Sequence, residues 1–251
     1  MQKTCLVATV SAFLIAAMGV SGCSGEHHAH WSYEGKTGPA HWGKLDEAYA
    51  MCKHGMNQSP INILDAIKAE LPPLNIHYQP GSTAILNNGH TIQVDYKKGN
   101  VLKMDGHEFV LKQFHFHSPS ENQIKGVSYP LEAHLVHADA KGNLAVVAIM
   151  FETGKKNDVI EALWKKMPKH EDDRHSLERS KIHVGDLLPP NLDYYRYNGS
   201  LTTPPCSEGV RWFVLKTPVP VSEEQVKTFE QVMHHHNNRP TQPLNARKVL
   251  Q

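Results

Sequence analysis

The residues best suited to chemistry stand in two short runs, Gln113-Phe114-His115-Phe116-His117 and Glu132-Ala133-His134. Side chains two apart on a strand lie on one face. As strands, the first run puts Gln113, His115 and His117 on one face and Phe114 and Phe116 on the other. The second gives Glu132, His134 and Val136 a common face and turns Ala133, Leu135 and His137 away. Three neutral imidazoles from two neighbouring strands leave a fourth tetrahedral position open, which is the arrangement of a catalytic zinc rather than a structural one.

The spacing alone is weak. The chain holds 18 histidines in 251 residues, and chance supplies roughly one His-x-His pair in that length. Three occur: His28/His30, His115/His117 and His234/His236. The middle pair stands apart because it lies in an apolar, aromatic strand pattern, follows a polar residue two positions earlier, and has a third histidine on a similar strand. Buried structural histidines are the alternative to a metal site.

The elements that must position these residues are mostly strands. Short apolar runs at 74–78, 83–87, 91–95, 101–104, 109–117, 131–139, 144–153, 194–200 and 210–215 are divided by turn signals such as Asn88-Gly89 and Lys141-Gly142-Asn143. The run 144–151 is nearly all apolar, as in a strand covered on both faces. Helical character is confined to 45–51, 158–167, 178–182 and 222–234. In the last of these Ser222 is the cap, Glu223 and Glu224 fill the first turn, and Val226, Phe229, Val232 and Met233 form the apolar face. The pattern predicts a mixed α/β fold dominated by β: one domain, residues 30–249, with a large central, mostly antiparallel twisted sheet and short peripheral helices.

Composition excludes other classes. A hydrophobic fraction of 40% with 20% charged residues reads as globular, and a net charge of +1 gives no case for nucleic acid. Residues 1–22 read as a signal peptide: Lys3 supplies the positive end and residues 6–20 an apolar core too short for a membrane span. Val20-Ser21-Gly22-Cys23 resembles a lipobox, which makes Cys23 a lipidation candidate. The other reading is a plain secretory signal in which Cys23 is incidental. Both take the mature chain out of the cytoplasm, to the periplasm or beyond. Residues 23–29, with their His-rich end, form a tether. Among the remaining cysteines, Cys52 and Cys206 are available to pair in an oxidising compartment, with two free thiols as the alternative.

Eight motifs in order then carry a resemblance over residues 30–249. They are Trp31-Ser32-Tyr33, Gly38-Pro39-Ala40-His41-Trp42-Gly43, Asn57-Gln58-Ser59-Pro60-Ile61-Asn62-Ile63, Asn87-Asn88-Gly89-His90, Gln113-Phe114-His115-Phe116-His117, Glu132-Ala133-His134-Leu135-Val136-His137, Gly199-Ser200-Leu201-Thr202-Thr203-Pro204-Pro205-Cys206, and Asn238-Arg239-Pro240 with Gln242-Pro243-Leu244. The chain resembles the α-class carbonic anhydrases, and the exported bacterial members most of all, whose disulfide matches Cys52 and Cys206.

The resemblance implies a zinc lyase that hydrates CO2 reversibly to bicarbonate and a proton through a zinc-bound hydroxide. It implies His115, His117 and His134 as metal ligands. Gln113, Glu132 and the carbonyl of Asn237 become the partners that fix their tautomers. Thr202 and Glu121 orient the attacking oxygen, Thr203 contacts bicarbonate, and Val136, Val146, Leu201, Val210 and Trp212 wall the CO2 pocket. His90 is the implied proton shuttle, with Tyr33 and Asn88 ordering its water path. Gln93 stands where members vary. Asn122 and Ser118 depart from the His and Trp of many animal members, which bears on stability and inhibitor fit. The resemblance leaves monomer or homodimer open. Two other functions are weighed against it: a non-catalytic binding module of the same fold, which typically lacks zinc histidines retained here, and a zinc-dependent ester hydrolase.

Overall fold

The computed structural model describes residues 29–180 and 182–251. The signal peptide, Cys23 and all of the tether except Ala29 lie outside the described residues. The N-terminal stretch winds over the sheet through α1 (Trp42–Leu45), a 3-10 turn (Glu47–Tyr49) and α2 (Met51–His54). Where 45–51 reads as one helical segment, the chain makes separate short turns, the middle one capped by Asp46 accepting from the Ala48 amide.

The strands follow as β1 (Asn62–Ile63), β2 (Asn75–His77), β3 (Ser82–Asn87), β4 (Ile92–Tyr96), β5 (Val101–Met104), β6 (His107–His117), β7 (Gln123–Ile124), β8 (Leu131–Ala138) and β9 (Leu144–Thr153). After α3 (Asp158–Trp164) come β10 (Arg174–Ser176), β11 (Tyr194–Ser200), β12 (Glu208–Leu215) and β13 (Val219–Val221), then α4 (Glu223–Met233). Among the described residues eleven strands form one sheet, with the path β10-β3-β4-β6-β8-β9-β12-β11. Most neighbours are antiparallel, but β9 runs parallel to both β12 and β13. β1 and β7 make a separate parallel pair. Among the described residues no helix is long and apolar enough to cross a membrane.

The central strands separate two apolar layers. Phe114, Leu135, Val147 and Phe213 face a large core that α3 and α4 close with Ile160, Leu163, Val226 and Phe229. The opposite face carries Val146, Ala148, Val210 and Trp212. β9 is buried from Ala145 to Phe151, as its unbroken apolar run requires. α4 begins in a capping box, Ser222 accepting from the Gln225 amide while the Gln225 side chain returns to the Ser222 amide.

Among the described residues of the expected helix at 178–182, none is helical. Arg174–Ser176 pairs with β3 instead, and Leu177 donates to the Thr83 carbonyl, which draws the segment into the sheet edge and leaves a turn at Ser180. Long-range strand pairing overrides local helix preference here. α3 stops at Trp164, short of the expected 167, just ahead of Pro168.

Candidate metal centre

β6 and β8 pair so that His115 stands directly opposite His134, and His134 opposite Ala148 of β9. This register puts the three histidines on the face that carries Ala148, Val146 and Trp212, away from the phenylalanine core. One nitrogen from each of His115, His117 and His134 lies within 4.8 Å of the other two. His117 and His134 are buried; His115 is half-buried.

The remaining ring nitrogens each face a different group. His115 Nδ1 donates to Gln113 Oε1 at 2.8 Å, and His117 Nδ1 to the Asn237 carbonyl at 2.7 Å. His134 Nε2 lies 2.9 Å from Glu132 Oε1, off the line of an ideal hydrogen bond. An acceptor facing one nitrogen makes that nitrogen the donor. The lone pairs on His115 Nε2, His117 Nε2 and His134 Nδ1 are thereby left to converge. Burial is the main cause that lowers the pKa of all three imidazoles, and for His115 and His134 the neighbouring imidazoles lower it further. They are neutral at neutral pH, as metal ligands must be.

The donor set fits zinc. His117 Nε2 and Glu121 Oε2 are buried without a hydrogen bond, an arrangement that needs a reason in a folded protein. They face one another at 3.5 Å, and Glu121 Oε2 lies 3.9 Å from His134 Nδ1. A divalent cation among three imidazole nitrogens satisfies this cluster, and imidazole is a ligand type that zinc accepts.

A shell of hydrogen bonds holds the carboxylates. Glu132 Oε2 accepts from the amides of Glu121 at 2.7 Å and Asn122 at 2.9 Å. Glu121 Oε1 accepts from the Arg239 amide at 2.8 Å. Thr202 stands beside Glu121, close enough for its hydroxyl to draw that carboxyl's pKa down, although Oε2 receives no bond of full geometry. Burial is the larger effect and lifts Glu121 well above the usual carboxylate range.

His90 sits on the turn between β3 and β4. Asn88 Oδ1 closes that turn by accepting from the amides of His90 at 3.0 Å and Thr91 at 2.8 Å. Asn237 Nδ2 ties it to the ligand strand, donating to the carbonyls of both His90 and Phe116. Tyr33 is buried against Trp42 and Cys206. Gln93 donates to Asp95 at 2.7 Å. Val146, Val210 and Trp212, with the partly buried Val136 and Leu201, belong to one apolar cluster. That cluster reaches the metal centre where the Trp212 ring stands edge-on to His134, centroids 4.9 Å apart.

Thr202 and Thr203 lie in a loop closed by the Cys52–Cys206 disulfide. The Cys206 amide donates to the Thr203 carbonyl and Leu201 to Ser207. Sequence reasoning passed over Arg239, a buried cation whose guanidinium donates to Gln58 Oε1, the Ser59 carbonyl and the Cys52 carbonyl. Its place in Asn238-Arg239-Pro240 was the available signal, but a lone arginine reads as exposed. The place of His30 and His235 beside His90 is not foreseen in the sequence either, where His30 reads only as half of a His-x-His pair next to the tether.

Three comparisons bear on this site. The sequence pattern of the family described as eukaryotic-type carbonic anhydrase matches residues 37–251. A carbonic anhydrase of Pectobacterium atrosepticum is 49% identical over 241 residues, covering 95% of this chain and 98% of that one. The α-carbonic anhydrase of Thermovibrio ammonificans, solved with the inhibitor sulfanilamide, superposes with a TM-score of 0.87 at 52% identity, covering 89% of this chain and 99% of that one. The α-carbonic anhydrase of Photobacterium profundum superposes with a TM-score of 0.84 at 49% identity, covering 88% and 100%.

Proposed function

The chain belongs to the α-class carbonic anhydrases, and from that premise we propose a division of labour among its residues. It is an enzyme that interconverts CO2 and water with bicarbonate and a proton, and zinc is its cofactor. Bound at His115, His117 and His134, zinc supplies a Lewis acid that lets a water ionise near neutral pH, an effect for which carbonic anhydrases are themselves the reference case.

The protein's own residues do the rest. Gln113, the Asn237 carbonyl and Glu132 hold the three imidazoles in the tautomers that present lone pairs inward. Glu121 accepts a hydrogen bond from the Thr202 hydroxyl, which turns a threonine lone pair toward the reacting water and selects ligands that can donate to it. Val136, Val146, Leu201, Val210 and Trp212 exclude water from the side on which uncharged CO2 rests. Thr203 contacts bicarbonate. His90 carries the proton from the pocket to solvent along water ordered by Tyr33 and Asn88.

One observation carries this reading: His115 and His117 are hydrogen-bonded through their far nitrogens to Gln113 and the Asn237 carbonyl, His134 Nε2 faces Glu132 at 2.9 Å, and the opposite nitrogens of all three rings lie within 4.8 Å of one another. The disulfide suits an oxidising compartment. It supports export of a catalytic domain spanning residues 30–249 behind a signal peptide, to the periplasm or outside the cell, with Cys23 as the candidate lipid attachment point. Stopped-flow CO2 hydration on the full chain, before metal removal, after it and after zinc is restored, tests the function. Activity that is lost and then recovered is the expected result. A folded, zinc-bound chain with no hydration overturns the enzyme in favour of a binding module.

A further inference from the structure

Asn122 lies fully buried between the metal centre and the apolar layer beneath it. Its carboxamide orientation is unambiguous. Oδ1 faces two donors, the Tyr197 hydroxyl at 2.9 Å and the Ile61 amide at 3.3 Å, and Nδ2 faces an acceptor, Glu132 Oε1 at 2.8 Å. Burial raises the Tyr197 phenol's pKa, so it remains a neutral donor.

The two Glu132 oxygens have different neighbours. Oε2 is fixed by the amides of Glu121 and Asn122. Oε1 meets the Asn122 carboxamide and His134 Nε2. With Oε2 pinned, the carboxylate can still pivot about it, and Asn122 Nδ2 is the group besides His134 that sets where Oε1 lies. Three hydrogen-bond donors hold the carboxylate, with His134 Nε2 as a fourth close neighbour.

We propose that Asn122 is a positioning residue for the metal centre: held by Tyr197 and Ile61, it fixes the plane of Glu132 and so the ring of His134. The path runs from Tyr197 through Asn122 and Glu132 to His134, linking the packing of β11 to a ligand on β8. It gives Asn122 a task beyond stability and inhibitor fit. The inference rests on the zinc-site reading, since it concerns how one zinc ligand is held.

Zinc retention is the measurement. The full zinc-loaded chain is placed in excess chelator, the rate of zinc release is followed, and Tm is recorded in parallel. Asn122→Leu keeps the side-chain size and removes both polar ends. It is expected to release zinc about tenfold faster than the parent, the low end of what outer partners of metal ligands carry. Tyr197→Phe leaves Asn122 in place and loosens only its anchor, so a smaller acceleration in the same direction is expected, and this variant serves if Asn122→Leu does not fold. Ile160→Ala, in α3 on the opposite core face, controls for general destabilisation and is expected to lower Tm with little change in release. Parental release rates in both Asn122→Leu and Tyr197→Phe overturn the proposal. So does equal acceleration in an Ile160→Ala chain of matched Tm. A parent chain that holds no zinc sinks the metal-centre reading itself, and the proposal with it.

Discussion

Trp31 and His90 lie face to face, ring centroids 3.7 Å apart and planes 9° from parallel. The indole covers one side of the imidazole. His30 approaches the same imidazole at 6.5 Å, and Tyr33 stands edge-on to Trp31 and within 5.8 Å of the His235 ring.

This crowding sets how His90 titrates. Burial first, then His30 and His235, push its pKa down to about 4. An NMR titration is expected to give a His90 midpoint near that value, and Trp31→Ala, which strips away cover, to move it up toward ordinary histidine. A depressed histidine contributes stability that is complete above its unfolded pKa and is lost as pH falls through the folded value. The His90 contribution is therefore present at neutral pH and disappears between about pH 6.5 and pH 4. A midpoint near 6.5 in the parent protein contradicts this picture.

Proton export through His90 predicts a split between kinetic constants. A ring held down to about 4 takes up a proton poorly at neutral pH, so His90→Ala is expected to lower kcat in weak buffer by about tenfold or less, below the roughly 10²- to 10⁴-fold of a carrier matched to the working pH, and to leave kcat/KM near its parent value. Added imidazole should restore part of kcat. Unchanged turnover at low buffer assigns the proton to another route.

The acceptors behind the ligands should control how tightly zinc is held. Gln113→Leu removes the acceptor 2.8 Å from His115 Nδ1, and a loss of roughly 10- to 100-fold in zinc affinity is expected. Competition against a chelator of known affinity measures it. Parental affinity in this variant shows that the ring is oriented without Gln113.

The disulfide closes a loop with a sequence separation of 154. Chain-entropy reasoning puts its stabilisation near 5 kcal/mol as an upper figure, with about 2–5 kcal/mol usual when a native bridge is removed. Urea unfolding of the Cys52→Ser, Cys206→Ser double variant is expected to show a loss in that range. Because Cys206 closes the loop that carries Thr202 and Thr203, kcat/KM should fall as well. A double variant with parental stability and kcat/KM contradicts both expectations.

What could be read beforehand follows from how each signal is encoded. The faces of β6 and β8 were legible because strand alternation is local: Gln113, His115 and His117 are two apart, and so are Glu132 and His134. The edge strand at Arg174–Ser176 was not, since its pairing with Leu86, Ile85 and Ala84 is long-range and outweighs a turn of helical residues. The burial of Arg239 likewise depends on carbonyls of Cys52 and Ser59, far away in the chain. The carboxamide of Asn122 gains its meaning only when Tyr197, Ile61 and Glu132 are folded around it.

The pairing of His115 with His134 across β6 and β8 has a bearing on how the chain reaches its native state. Side-chain direction alternates residue by residue, so a slip of one position between strands sends a whole set of side chains to the other face. A chain in which β8 had slipped in this way would turn His134 toward the phenylalanines and bring Leu135 to the pocket. His137 would come to that face too, but opposite Gln113 rather than beside His115 and His117, so the convergent set of three would be lost. Zinc capture therefore acts as an assay, made by the molecule on itself, for correct alignment of its central strands: a chain that keeps the ion has threaded its sheet properly.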